Sequence, residues 1–240
     1  MKLSVIGTGY LGATHAACMA ELGFEVIGVD VDAEKINQLS IGTVPFYEPG
    51  LDELLKKQIT AKRLTFTTDF SKIAGCDVHF ICVGTPQSRN SNAADLTYVN
   101  SALEKVAKVA KAGSLVVGKS TVPVGTAAKL RAQLKQINPA AELAWNPEFL
   151  REGFAVEDTL NPNRLVVGVV DDKSEETLKQ VYAKNIAANI PWIRADLPTA
   201  ELVKVAANSF LALKKLGFTK IKVYLGSWGE WSNRTELPVE

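Results

Sequence analysis

Short apolar runs alternate with helix-like segments along most of this chain. The runs KLSVIG (2–7) and EVIGVD (25–30) flank YLGATHAACMAELG, in which small and apolar residues recur at helical spacing and which Gly23 closes. Strand, helix and strand follow one another here in about 30 residues, the size of a parallel βαβ unit. The opening of the chain therefore predicts two parallel strands connected by a helix.

The same alternation continues beyond this unit. Further helices are predicted over AEKINQL, LDELLKKQI, residues 96–112, GTAAKLRAQLKQI and SEETLKQVYAKN, and further strands over RLTFTTD, DVHFICVGTP, SLVVGKST, AELAWNP and RLVVGVV. Continuous apolar strands between helices indicate a sheet that is covered on both faces. We therefore predict an α/β fold with a doubly wound parallel sheet.

Residues 146–153, NPEFLREG, place Glu148 and Glu152 four residues apart behind an Asn-Pro. Asn146 is a good N-cap and Pro147 suits the first helical position, which predicts a helix start with both carboxylates on one face. An acid in the first turn of a helix is also explained by the helix dipole alone. The residues by themselves leave open both a catalytic pair and an ordinary solvated helix start.

The last part of the chain has a different pattern. PTAELVKVAANSFLALKKLG is helical, and Gly217 suits the end of that helix. In TKIKVYLG (219–226), Ile221, Val223 and Leu225 alternate with Lys and Tyr, which predicts a half-buried strand. GSWGEWSNRTELPVE follows this strand.

Composition limits the classes of function. With 27 basic and 26 acidic side chains, nothing in the charge indicates nucleic acid or an anionic membrane as a partner. The three scattered cysteines form no C-x-x-C pair, which disfavours disulfides or a zinc site and favours a reducing cytoplasm. We expect no signal peptide and no membrane span, because no apolar run approaches about 20 residues. His15 and His79 have no partner pattern, so no metal site is expected.

The strongest local signal is GTGYLG (7–12), a G-x-G-x-x-G pattern between a strand and a helix. Gly7 permits a tight turn, Gly9 lets the backbone approach a pyrophosphate, and Gly12 lets helix and strand pack closely. The helix N-terminus offers free N–H groups to the phosphates. Asp30 ends the second strand, where a carboxylate can accept hydrogen bonds from the ribose hydroxyls and would repel a 2′-phosphate. These residues predict a site for NAD rather than NADP.

Eight motifs occur here in the order in which they occur in the UDP-glucose/GDP-mannose dehydrogenase family: GTGYLG, VDVDAEKI, EPGLDELL, ICVGTP, KSTVPVGT, NPEFLREG, NPNRLVVG and ELVKVAANSFLALK. The chain resembles that family from residue 1 to about residue 213. The resemblance implies a Rossmann-like NAD-binding domain and an enzyme that oxidises the C6 alcohol of a nucleotide sugar twice, each time passing hydride to NAD. UDP-glucose is the implied substrate and GDP-mannose the alternative.

The resemblance also implies catalytic roles for particular side chains. Thr121 and Glu148 resemble the family's water-holding and general-base residues, and Glu152 resembles its second conserved acid. Lys204 and Asn208 resemble the pair that steadies the oxyanions of the intermediates. A base of this kind needs a pKa that is raised by burial.

The implied cofactor contacts lie around the glycine motif and the strand ends. Asp30 and Lys35 resemble the family's ribose contacts, and Thr85 ends the ICVGTP strand at the edge where an open α/β sheet binds its ligand. The complete set of expected cofactor contacts is Gly7, Gly9, Tyr10, Leu11, Gly12, Asp30, Lys35, Thr85, Thr121 and Glu152.

The resemblance ends near residue 213. The family's nucleophilic cysteine lies in a GGPCFPKD-like motif, and neither that motif nor the family's uridine-binding half occurs in these 240 residues. Residues 212–240 resemble instead the C-terminal end of rhodanese-like sulfurtransferases, without their catalytic cysteine loop. We therefore predict a composite chain: an NAD-binding domain over 1–196, the start of a connecting helix over 197–216, and a foreign sulfurtransferase-like tail over 217–240.

Three functions stay open at this point. The first is an NAD-dependent dehydrogenase that acts on a small-molecule nucleotide sugar. The second is a module that binds NAD or NADH and does nothing further, and the third, indicated only by the tail, is sulfur transfer. A homodimer is usual in the family but is doubtful for this chain, because the connecting helix that mediates it is cut short.

Overall fold

A computed structural model describes residues 1–89 and 91–218 of the chain. Among the described residues, 1–205 belong to one compact unit and 206–218 belong to a second. The strands are β1 (Lys2–Ile6), β2 (Glu25–Val29), β3 (Leu64–Thr67), β4 (Val78–Ile81), β5 (Leu115–Gly118), β6 (Glu142–Trp145), β7 (Leu165–Gly168) and β8 (Trp192–Ala195). The helices are α1 (Tyr10–Glu21), α2 (Ala33–Ser40), α3 (Leu51–Thr60), α4 (Thr97–Val109), α5 (Thr126–Ile137), α6 (Ala155–Leu160), α7 (Asp172–Val181), α8 (Ala183–Ala187) and α9 (Leu197–Lys215), and a 3₁₀ turn spans Phe70–Ile73.

These strands form one sheet in the order β3-β2-β1-β4-β5-β6-β7-β8. Strands β1 to β6 pair in parallel. Strands β6 and β7 are antiparallel and meet at the residue pair Trp145 and Gly168, while β8 runs parallel to β7. The predicted doubly wound α/β fold is confirmed, with one antiparallel junction that the sequence pattern did not indicate.

Successive strand residues face two hydrophobic clusters, one on each side of the sheet. In β1, Val5 packs into the first cluster and Ile6 into the second, and in β4, Phe80 and Ile81 divide in the same way. Helices α1 and α3 cover the first cluster, and α4 and α5 cover the second. Because both faces are covered, these strands place apolar residues on both sides of the sheet.

The strand order also determines where a ligand can bind. The chain leaves β1 towards β2 and β3 on one side, and continues from β4 to β5 and β6 on the other. At such a switch point the connections after two neighbouring strands diverge and open a crevice at the carboxyl ends of the strands. The turn after β1 and the turn after β4 border this crevice.

Some sequence-based expectations differ from the observed elements. The helix predicted to start at Asn146 is wrong, because residues 146–154 have no regular secondary structure and α6 starts at Ala155. Strand β8 has no counterpart among the predicted elements, since WIRA is a partly exposed edge strand without a continuous apolar run. The strand expected over 219–226 lies outside the described residues, as does the predicted tail from residue 219 onward. The division into three segments stays a prediction.

In the part of the chain that the structure describes, none of the helices is both long enough and apolar enough to cross a bilayer.

Candidate functional site

A crevice of about 650 Å³ lies at the carboxyl ends of β1, β2 and β4. Its lining includes Gly7, Gly9, Asp30, Lys35, Phe70 and Lys105. Of the expected cofactor contacts, four line this cavity at the switch point of the sheet, where open α/β sheets bind their ligands: Gly7, Gly9, Asp30 and Lys35. The others are not among its lining residues: Tyr10, Leu11, Gly12, Thr85, Thr121 and Glu152.

The three glycines of the motif lie in different steric surroundings. Gly7 has a φ of +86°, and a Cβ there would lie 2.7 Å from Cγ1 of Val83. A Cβ on Gly12 would lie 1.7 Å from the carbonyl oxygen of Gly7, so only glycine lets α1 start this close to the turn. A Cβ on Gly9 would meet no protein atom within 4 Å. Gly9 therefore borders open space at the N-terminus of α1, which is where a phosphate group fits.

Asp30 lies at the end of β2 and is nearly buried, with 8% of its surface exposed. Its Oδ2 accepts hydrogen bonds from the Thr8 N–H at 2.8 Å and from the Lys35 ammonium at 2.9 Å, and its Oδ1 accepts from the Asp32 N–H at 3.1 Å. Burial opposes the charge of this carboxyl, but the hydrogen bonds from Lys35, Thr8 and Asp32 outweigh it and lower the pKa below its ordinary value. The predicted ribose contacts Asp30 and Lys35 thus form one charged pair.

The crevice fits a dinucleotide. The N–H groups at the start of α1, which include those of Tyr10 and Leu11, have no partners within the helix and are available to a pyrophosphate. A charged carboxylate that can accept ribose hydroxyls lies beside them on the neighbouring strand. NAD needs both features.

Thr85 and Thr121 follow the neighbouring strands β4 and β5, and the structure brings them together. The Thr85 hydroxyl donates to the carbonyl of Thr121 at 2.7 Å. Beside this bond, the Ser120 hydroxyl donates to the carbonyl of Val83 at 2.6 Å. The two bonds connect the loops on both strands across the carboxyl edge of the sheet.

Residues 146–154, here called the acidic loop, replace the predicted helix. Oε2 of Glu148 accepts the N–H of Leu150 at 2.6 Å, a bond within a local turn instead of a helical one. Glu148 is half-buried and Glu152 is exposed. The prediction that both carboxylates share one helix face is wrong. The positions of Glu148 and Glu152 are determined instead by the irregular backbone of the acidic loop.

Asn146 does not cap a helix as predicted, because its side chain belongs to a buried hydrogen-bond network. Its Oδ1 accepts from the Lys119 ammonium at 3.0 Å and from the Tyr182 hydroxyl at 2.7 Å, and its Nδ2 donates to the carbonyl of Val166 at 2.8 Å. Lys119, Asn146 and Tyr182 are all at least nine-tenths buried. Burial lowers the pKa of the Lys119 ammonium. Sequence analysis missed this network, whose one visible signal is a lysine directly after the apolar strand LVVG.

The acidic loop meets α9 through one ion pair. The Lys204 ammonium lies 3.0 Å from Oε1 of Glu148, and their side chains are 9% and 20% exposed. The same ammonium lies 5.5 Å from the ring centroid of Phe149. Two of the predicted catalytic residues, about 55 positions apart in the chain, are therefore in contact. Asn208 belongs to the second compact unit.

Glu201, one turn before Lys204 on α9, also holds a segment of the site. Its carboxylate accepts the N–H groups of Gly125 at 2.7 Å and of Ala127 at 2.6 Å, so it caps α5. The loop that carries Thr121 leads directly into this helix. Glu201 was not singled out by the sequence pattern, because a glutamate in an amphipathic helix ordinarily faces solvent.

Among the described residues, no group of three or more His, Cys, Asp or Glu side chains could hold a metal ion. The ring of His15 packs edge-on against Phe80, with centroids 4.5 Å apart. Nδ1 of His79 lies 2.7 Å from the Ser4 hydroxyl, and burial lowers the pKa of the His79 imidazole to about 4. Both imidazoles therefore take part in core packing.

Replacing Asp30 by asparagine is expected to weaken NADH binding about 10- to 100-fold, because a hydrogen bond to a charged group contributes roughly 1.5–3 kcal/mol. NADPH should be affected less, since the change also removes the repulsion of its 2′-phosphate. Calorimetric titration with both dinucleotides measures the two effects. Asp172→Asn, on an exposed carboxylate of α7, is the matched control. Unchanged NADH affinity in Asp30→Asn would exclude Asp30 as a ribose contact.

Comparison with known proteins gives one consistent result. The model of the UDP-glucose/GDP-mannose dehydrogenase family, NAD binding domain, matches residues 1–186. The UDP-glucose 6-dehydrogenase of Rhizobium meliloti (strain 1021) is 42% identical in an alignment of 219 positions, which covers 89% of this chain and 50% of that protein.

Solved structures give the same result for the fold. A GDP-mannose dehydrogenase from Pseudomonas aeruginosa, in a ternary complex, is similar with a TM-score of 0.84 and 35% identity, over 89% of this chain and 50% of that one. A UDP-glucose dehydrogenase from Pyrobaculum islandicum is similar with a TM-score of 0.82 and 42% identity, over the same shares. The chain spans about half the length of these relatives.

Proposed function

Because this chain belongs to the UDP-glucose/GDP-mannose dehydrogenase family, we propose that it oxidises the C6 hydroxymethyl of a nucleotide sugar, UDP-glucose, with NAD. The NAD-binding domain of the family covers residues 1–186, so NAD is the cofactor. The chain spans about half the length of its relatives. Its residues bind the cofactor, accept the proton from the substrate and stabilise the charge that develops beside the cofactor.

The contact between Glu148 and Lys204 carries this proposal. A carboxylate and an ammonium 3.0 Å apart, both largely buried, follow β6 and β8 of the sheet that also forms the cofactor crevice. Alcohol oxidation needs a group that accepts the hydroxyl proton and a group that stabilises negative charge on the oxygen. This pair supplies both.

Oxidation of an alcohol removes one proton and one hydride from the carbinol group. Bound NAD supplies the hydride acceptor. Glu148 takes the proton from the C6 hydroxyl, either directly or through a water that Thr121 holds. Thr85 assists indirectly, because its hydrogen bond fixes the backbone of Thr121. The product of this first step is an aldehyde.

Lys204 has a different task before and after proton transfer. While Glu148 is charged, the ammonium is paired with it and keeps the carboxylate in place. Once Glu148 has taken a proton, the ammonium loses its ionic partner and its charge becomes available to the oxygen of the substrate. A preorganised donor of this kind in a water-poor site contributes about 10²–10³ in rate.

A cysteine nucleophile has no place in this proposal. Cys18, Cys76 and Cys82 are the three cysteines of these 240 residues, and all are buried. Burial raises the pKa of Cys82, which lines the cofactor crevice, to about 12. Its thiol is therefore protonated at neutral pH and unsuited to attack an aldehyde.

Formation of NADH from NAD and UDP-glucose by the 240-residue chain is the direct test. We expect faster formation with UDP-glucose than with GDP-mannose and none without a sugar nucleotide. GDP-mannose is the second candidate because of the structural likeness to GDP-mannose dehydrogenase. If neither sugar yields NADH while calorimetry shows NADH binding, the chain is the NAD(H)-binding module that the sequence left open.

A further inference from the structure

Glu48 precedes α3 and is 5% exposed, yet none of the ion pairs in the described residues includes it. Its carboxylate is satisfied instead by neutral donors. Oε2 accepts the Tyr10 hydroxyl at 2.5 Å and the Gly153 N–H at 3.0 Å. Oε1 accepts the N–H groups of Ala155 at 2.7 Å and of Val156 at 3.3 Å. One buried carboxylate thus joins three segments that are far apart in sequence.

Each of these segments leads into a helix. Tyr10 is the first residue of α1, Glu48 lies three positions before α3, and Ala155 is the first residue of α6. The N-terminus of α6, whose first two N–H groups donate to Glu48, carries partial positive charge and helps to compensate the buried carboxylate in place of a basic side chain. Burial and the bond to Glu48 raise the pKa of Tyr10 to about 12, so the phenol remains a donor at physiological pH.

Two of the donors to Glu48, Tyr10 and Gly153, lie in segments that border the proposed site. Tyr10 belongs to the glycine turn, at the helix N-terminus that faces the cofactor phosphates. Gly153 lies near the end of the acidic loop, and its N–H also donates to the Tyr10 hydroxyl at 3.1 Å. The other end of that loop is held at Asn146 by the Lys119 ammonium. The acidic loop is therefore fixed at both ends, and at one end the anchor is the cofactor turn itself.

We propose that Glu48 is a positioning residue that couples occupancy of the cofactor turn to the geometry of the acidic loop. A bound dinucleotide restrains the first turn of α1, and Tyr10 moves less. Through Glu48, the amides of Gly153, Ala155 and Val156, where the acidic loop leads into α6, become better protected. The inference rests on the proposed function in one respect, since the acidic loop carries the general base Glu148. Glu48 acts through the loop and touches no reacting atom.

Hydrogen exchange at the amides of Gly153, Ala155 and Val156, with and without NADH, tests the coupling in the whole 240-residue chain. In the unmodified protein, NADH is expected to slow exchange at these amides about tenfold, since local opening then requires release of a restrained turn. In Glu48→Gln, these amides should exchange about tenfold faster, because the remaining amide oxygen is an uncharged and weaker acceptor and the new NH₂ group cannot accept at all. NADH should no longer slow their exchange, although it still binds.

Two further variants separate coupling from folding. Tyr10→Phe removes only the hydroxyl, so the bonds of Glu48 to Ala155 and Val156 remain while the response of these amides to NADH is expected to disappear. Glu53→Gln, on an exposed glutamate of α3, should behave like the unmodified protein. The inference is overturned if NADH protects the three amides equally in Glu48→Gln, or if it leaves them unaffected in the unmodified chain. Because the readout needs no sugar nucleotide, failure of UDP-glucose oxidation would be seen separately.

Discussion

Replacing Glu148 by glutamine is expected to lower NADH formation from UDP-glucose by about two to four orders of magnitude, the usual contribution of a general base. Glutamine has nearly the same shape and keeps an oxygen that can accept from Lys204, so the fold should remain intact. It has no basic oxygen to take up the hydroxyl proton. Initial rates at saturating NAD and UDP-glucose measure the loss, and NADH affinity should stay nearly unchanged.

The split between turnover and cofactor affinity identifies the role of Glu148. If the substitution acted only by disturbing the site, NADH binding and thermal stability would fall together with the rate. Glu176→Gln, on an exposed position of α7, is the control and should retain full activity. A Glu148→Gln protein that retains more than about a tenth of the rate would assign the base to another group.

Gly12→Ala is expected to lower the free energy of unfolding by about 3 kcal/mol or more, at the upper end of overpacking effects. The added methyl would lie 1.7 Å from the carbonyl oxygen of Gly7, a backbone atom that has no rotamer with which to move away. Either α1 shifts away from β1 or the turn opens, and NADH binding is lost in both cases. Urea denaturation, followed by circular dichroism, measures the change in stability.

Gly9→Ala is the matched variant for this prediction. Gly9 has a φ of −70°, which alanine adopts readily, and its new Cβ would meet no protein atom within 4 Å. The free energy of unfolding should therefore change by no more than about 0.5 kcal/mol, while NADH binding falls because the methyl occupies space next to the phosphates. Equal stability of Gly12→Ala and Gly9→Ala would contradict the steric interpretation of the glycine turn.

The sequence predicted the elements whose physical signal is local. The strand KLSVIG, the glycine turn and Asp30 follow one another within one βαβ unit, so a single window of sequence contains the complete pattern. The apolar strands were recognisable for a similar reason, because burial on both faces leaves uninterrupted apolar runs.

The errors arose where a distant residue takes over a local hydrogen bond. Asn146 and Pro147 have the preferences of a helix start, but Lys119 and Tyr182 engage the asparagine side chain, and the acidic loop stays irregular. No periodicity in the sequence shows such a long-range partner. Glu48 escaped notice for the same reason, since its four partners lie 38 to 108 positions away.

The pairing of Glu148 with Lys204 lies between these cases. Its two residues came from the family resemblance, while the local pattern alone left open an ordinary solvated helix start at Glu148. The structure places the ammonium and the carboxylate in contact because β6 and β8 both lead into the same region. The role of each in catalysis remains the proposal that the Glu148→Gln experiment addresses.

The antiparallel junction between β6 and β7 has a mechanical consequence. Its backbone ladder is reduced to the pairing of Trp145 with Gly168, and the next bond across it comes from the Asn146 amide. Glu148 follows β6 and Lys204 follows β8, so the two charges of this ion pair lie on opposite sides of the antiparallel junction. A slip of one residue along a strand is about 3.3 Å, as large as their whole separation of 3.0 Å. The distance between the Glu148 carboxylate and the Lys204 ammonium is therefore set across a junction that one backbone pairing and the Asn146 side chain connect.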